Sequence, residues 1–231
     1  MGKEKYIVKV NKGFMREGDD QRNEAAVSAL ARVLDLDHSA PSQVWEVSES
    51  QWKPRYSIQK LEQGKNYTGG RKLPIQRDSE RVSSESLQKT ILLNILANTE
   101  DRHSGNYLIN AKLKTITSID NGWSFSMVRL SKKSTYAYKL LRYQQFGSSR
   151  FGEYHTEFSR SIIKDIVSRK SQAIEELKKY GLDSSEISDF QTRFEELESA
   201  LQKPTNEPIT INDLELSKGS PEWANSLDFE N

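Results

Sequence analysis

The sequence predicts an α+β fold in two lobes: a reduced, β-rich N-lobe over residues 1–61, a helical C-lobe over 62–203, and an irregular tail over 204–231. Three observations carry this. β-branched and aromatic runs at 5–10, 44–47 and 56–60 are bounded by turn residues. Apolar residues recur at helical spacing over 22–36, 83–97 and 158–201. The two patterns also segregate, with strands ahead of residue 61 and mainly helices beyond 123.

The chain has 231 residues, 29% charged and 35% hydrophobic, so it is polar yet long enough to bury a core without disulfides. A formal net charge of +1 lacks the basic excess of a nucleic-acid binder. The absence of cysteine excludes disulfides, thiolate catalysis and Cys-ligated zinc. The start, MGKEKYIVKV, has no apolar stretch typical of a signal peptide, and Tyr6 stands where myristoylation wants Ser or Thr. No apolar run approaches a membrane span. The expectation is a cytoplasmic protein, and a secreted effector acting inside a host cell shares these features.

In chain order, Lys5–Val10 reads as a strand with Tyr6, Val8 and Val10 on one face. A polar loop follows, with Asp19 or Asp20 as cap of a helix whose Ala25/Ala26, Ala29/Leu30 and Val33/Leu34 repeat every three to four positions. Strands Val44–Val47 and Tyr56–Lys60 flank a turn at Lys53-Pro54. Residues 62–81, rich in Gly, Lys, Arg and Asn, read as a loop or insertion. Ser83 or Ser84 opens a strong helix striped by Leu87, Ile91/Leu92 and Ile95/Leu96. The polar loop Asn98–Asn106 leads into strands Tyr107–Asn110 and Thr115–Asp120 around a turn at Ala111–Lys114. Helices are expected over Phe158–Val167, Ile174–Tyr180 with Gly181 as C-cap, and Ser184–Leu201, before Pro204 and Pro208 end regular structure.

The chemistry-bearing segment is Asp101-Arg-His-Ser-Gly-Asn106, followed on the next strand by Ile119-Asp120-Asn121-Gly122. Singly these are ordinary: Asp and Asn cap and turn by default, and Asn-Gly is a tight-turn signal. Jointly, on a helix–loop–hairpin frame, they match the needs of phosphoryl transfer. Hard divalent cations want oxygen ligands, and an attacking hydroxyl must be aligned and deprotonated. A hairpin returns the chain to its starting end, so Asn106 before it and Asp120 after it can meet at one magnesium ion. Asp101, on the opposite arm of the loop, suits a base or an orienting group. His103, with an ordinary pKa of about 6.5, is a second candidate. His38 and His155 receive no role.

This pattern resembles the catalytic and metal-binding motifs of the HipA-like kinases, the phosphoinositide kinases and the actin-fragmin kinases, all protein-kinase-like. Tyr6-Ile-Val-Lys-Val10 resembles the strand with the ATP-binding lysine, Asn23-Glu24-Ala-Ala the helix with its partner glutamate, and Ser57–Gly64 the hinge strand. The resemblance implies a two-lobed kinase fold, ATP and Mg2+ as cofactors, and a protein hydroxyl as acceptor. It implies that Lys9 binds the α/β-phosphates and Glu24 pairs with Lys9. Gln59, Lys60 and Leu61 would meet adenine through their backbone. Asp101 would act as base, alone or with His103, while Asn106 and Asp120 would hold magnesium.

Two departures stand out. Only eight residues precede Lys9, where kinases place a Gly-rich phosphate loop, so either a missing segment or a partner chain supplies that lid or the protein works with a reduced N-lobe. Asn121 stands where many kinases carry Phe. Two rivals accompany the protein-kinase reading. A phosphoinositide kinase is favoured by Arg102-His103 and opposed by the lack of an obvious lipid-facing helix. A nucleotide-binding pseudokinase or regulatory module is favoured by the missing Gly-rich loop.

Overall fold

A computed structural model of the chain describes residues 6–10, 19–36, 42–46, 55–60, 65–66, 83–99, 106–110, 112–125, 157–210 and 213–214. Strand β1 (Tyr6–Val10), β2 (Ser42–Glu46) and β3 (Arg55–Lys60) form an antiparallel sheet in the order β1-β3-β2. The register pairs Lys9 with Ser57, and Ser57 with Val44 on the other side. Val8 is 57% exposed, so the β1 face chosen by alternation turns at least this side chain to solvent.

Helix α1 (Asp19–Val33) packs against β2 and β3 and also against the later helices. Its alanines make both approaches possible. Ala25 and Ala29 are buried outside the main apolar cluster, whereas Ala26, Val27, Leu30 and Ala31 belong to it. Asp19 and Asp20, expected as caps, lie within the first turn. Two residues past the helix, Asp35 turns into the left-handed region and Leu36 N bonds back to Ala31 O.

Helix α2 (Ser84–Leu96) starts where expected: the Ser83 side chain accepts a bond from Ser86 N. Its stripe, Leu87, Ile91, Leu92, Ile95 and Leu96, is buried throughout. The hairpin β5 (Tyr107–Asn110) and β6 (Thr115–Ser118) lies against it, and Ser86 Oγ accepts from Ile116 N at 3.0 Å. Strand β6 ends at Ser118, two residues short of the expected Asp120. The stretch 62–81, read as loop, contributes β4 (Lys65–Asn66), which pairs with Leu108 and Ile109 to complete a β4-β5-β6 sheet. A two-residue edge strand needs a neighbour's free backbone, not an alternating sequence, so no pattern announced it.

Helices α3 (Arg160–Ser168), α4 (Lys170–Lys179) and α5 (Ser184–Ala200) complete the described elements. Phe158, expected in a helix, instead forms an extended bridge with Ile209. Gly181 adopts φ 74 after α4, the left-handed conformation that suits glycine. Asp183 opens α5 with a capping box: its side chain accepts from Ser185 N and Glu186 N, while Glu186 Oε2 accepts from Asp183 N. Phe190 and Phe194, on one face of α5, meet edge to face at 5.0 Å and are fully buried. Ile209 and Leu214, from the stretch read as an irregular tail, are buried in the same core.

Candidate functional site

The hairpin brings two of the expected site residues together. Tyr107 pairs with Ser118 in the last rung of β5 and β6, and Ile119 N donates to Asn106 O at 2.9 Å just beyond it. Asn106 is thus fixed beside the residue that precedes Asp120. Asn106 is buried and Asp120 is exposed. Asp120 also holds φ 56, a conformation few non-glycine residues adopt. Their donors, an amide oxygen and a carboxylate, are hard oxygens that fit a magnesium ion. Among the described residues no three His, Asp or Glu side chains cluster.

The strand ends are braced by polar groups from α2. Asn94 Nδ2 donates to Tyr107 Oη at 3.2 Å. Ser118 Oγ lies 2.9 Å from Asn121 Oδ1 and 3.3 Å from Asn94 Oδ1, so its single proton is shared between two buried amides. Past Asp120 the chain returns to the end of α2: Ser124 Oγ donates to Thr99 Oγ1 at 3.0 Å, and Phe125 N to Ala97 O at 2.8 Å.

From the other side, α1 grips the same loop. Asn23 Nδ2 donates to Gly122 O at 3.0 Å and to Ser124 O at 2.6 Å. Its Oδ1 accepts from Arg22 Nε and Nη2 at 3.2 and 3.1 Å. Arg22 is held in turn by Glu186 Oε1 at 2.6 Å and by Gly181 O at 3.2 Å. Glu24, the next residue of α1, is buried. The side chain of Lys9 lies outside the described residues, as do Asp101, His103 and Leu61. Gln59 pairs with both Ile7 and Ser42, whereas Lys60 pairs with Tyr6, one residue beyond the end of the β2 ladder.

Arg193 on α5 reaches the C-terminal end of α2. Its Nε donates to Leu96 O at 2.8 Å. Burial lowers its pKa to about 10, against the opposing pull of Asp189 and Glu196. Its Nη2 finds no hydrogen-bond partner among the described residues. Neither Asn23 nor Arg193 drew a role from the sequence. Their partners lie about a hundred positions away, and no local spacing encodes that.

The described residues define a mixed α/β protein in which a β-hairpin, the end of one helix and the flank of another converge on a polar loop. Residues 47–215 match the LepB N-terminal domain family, and the chain belongs to that family. A search of curated proteins finds no match. Among solved structures, the chain is similar to one from the Shewanella oneidensis MR-1 toxin–antitoxin complex of HipA, HipB and operator DNA. Identity is 14% and the TM-score 0.39, over 97% of this chain and 61% of that one. The present chain therefore spans less than two thirds of that neighbour, and so distant a likeness carries no argument about activity.

Proposed function

We propose that the chain is an ATP- and magnesium-dependent kinase that transfers the γ-phosphate to a hydroxyl of a protein. The observation that supports this reading is the backbone bond from Ile119 N to Asn106 O at the hairpin's open end, which brings the chain at Asn106 next to the residue before Asp120. In this reading Asn106 and Asp120 hold magnesium, which when bound neutralises charge on the phosphate oxygens. Lys9 contacts the α/β-phosphates and Glu24 pairs with it. The backbone of Gln59, Lys60 and Leu61 meets adenine, near where β3 outlasts its β2 partner. Asp101, with His103, orients the acceptor hydroxyl and takes its proton as the new O–P bond forms. The bond between the γ-phosphorus and the bridging oxygen breaks, and ADP leaves. Catalysis is positioning and electrostatics, with no covalent enzyme intermediate.

The test is transfer of labelled γ-phosphate, with and without magnesium, to protein acceptors and to phosphoinositide vesicles in parallel. Magnesium-dependent labelling of protein, lost in Asp101→Ala and Asp120→Ala variants that keep the wild-type circular dichroism, is the expected result. Labelling of vesicles alone assigns a lipid acceptor. Full activity in both variants overturns the assigned roles. No transfer, but magnesium-dependent stabilisation by nucleotide, identifies a binding module.

A further inference from the structure

We propose that Asn23 is a positioning residue that fixes the loop bearing Asp120, with Arg22 and Glu186 setting the orientation of its amide. The inference rests on the magnesium-site reading above and adds a residue to it. An amide has two protons on one end and an acceptor on the other. Here the acceptor end is filled by two guanidinium N–H groups of Arg22. The donor end meets two carbonyls, those of Gly122 and Ser124. Flipping the amide would set oxygen against both carbonyls and NH2 against the guanidinium, so one orientation is enforced.

The two bonded carbonyls flank Trp123. Gly122, Ser124 and Phe125 are buried, whereas Trp123 is 41% exposed. The grip thus turns the backbone inward and leaves the indole outside. The loop also contains two residues in the left-handed region, Asp120 at φ 56 and Phe125 at φ 58. Such conformations persist where surrounding bonds over-determine them. Thr99 and Ala97 hold the loop on the α2 side, and Asn23 holds it on the α1 side. Arg22 has little freedom of its own, because Glu186 binds it with one oxygen and caps α5 with the other. A loop pinned at 122 and 124 fixes the direction in which Asp120 leaves β6. Because Glu24 follows Asn23 in α1, one helix sets both that carboxylate and the magnesium loop.

The experiment uses the full chain with Trp123 as sole tryptophan, Trp45, Trp52 and Trp223 being replaced by Phe. Asn23→Asp keeps the side-chain volume and the Arg22 contacts but has no N–H to donate. Two quantities are read: acrylamide quenching of Trp123 without nucleotide, and the Mg2+ concentration giving half-maximal binding of adenylyl imidodiphosphate. Quenching rises in Asn23→Asp, and the Mg2+ midpoint rises by about 10- to 100-fold, as for other groups that orient metal ligands. Unchanged quenching overturns the clasp. Changed quenching with an unchanged midpoint overturns its link to the metal. If Asn23→Asp fails to fold, Arg22→Lys carries the same readouts, since it keeps the charge near Glu186 but removes the fork on Oδ1. A parent protein whose nucleotide binding ignores Mg2+ sinks the kinase reading instead, and quenching still judges the clasp.

Discussion

Asp120 sits at φ 56, where a side chain with a Cβ crowds the backbone at a cost of roughly 1 kcal/mol. A carboxylate kept there needs a reason other than stability, since glycine would sit there with less strain. Two substitutions separate strain from chemistry. Asp120→Ala and Asp120→Gly remove the carboxylate equally, but only glycine relieves the backbone. Phosphoryl transfer is expected to vanish in both. Chemical denaturation is expected to show the glycine variant more stable than the alanine variant by about 1 kcal/mol. Equal stabilities would mean that the left-handed turn is not a feature of the folded protein, and the geometry of the proposed magnesium site would fall with it.

At the scale of elements, one carboxylate helps to hold the stretch after α5. Asp213 Oδ2 accepts from Thr210 N at 2.7 Å and Thr210 Oγ1 at 2.9 Å, and its Oδ1 accepts from Lys203 Nζ at 2.8 Å. Partial burial opposes its ionisation, but the Lys203 and Thr210 bonds outweigh this and hold its pKa below the ordinary 3.8. A carboxylate depressed in the folded state contributes stability above its unfolded pKa and loses it as pH falls through the folded value. Protection of the Thr210 amide, corrected for intrinsic exchange, should therefore fall as pH drops from about 5 to about 2. In Asp213→Asn the fall should be absent; a variant that titrates like the parent would acquit this carboxylate. The sequence showed Pro204 and Pro208 and hence the end of helix, but not the burial of Leu214 or of Ile209, which bridges to Phe158 half a hundred positions earlier. By contrast α2 was legible in full, because its cap and its stripe from Leu87 to Leu96 are both local signals. Of the candidate site, the hairpin that sets Asn106 O against Ile119 N was legible. The site was illegible where long-range polar bonds shape it, at Asn23, Asn94 and Arg193.

Over the whole molecule, α1 is the element on which the parts depend. It touches β2 and β3, and also α2 and α4, so the first sheet and the helices meet across its width. Its C-terminal end is tied as well: Arg169, between α3 and α4, donates to Val33 O at 3.2 Å, a cation where the helix dipole is negative. Leu30 stands at the centre of its apolar side and is fully buried. Leu30→Ala should cost about 2–5 kcal/mol, the removed side chain's transfer energy plus the cavity left behind. If α1 joins sheet and helices into one cooperative unit, that cost appears everywhere at once. In a chain whose sole tryptophan is Trp45, on β2, fluorescence and far-ultraviolet circular dichroism should melt together and shift downward by the same interval. A Trp45 transition that stays at the parent temperature while the helical signal falls would separate the two regions. It would also deprive α1 of the means to hold the Asp120 loop in register with the strand that carries Lys9.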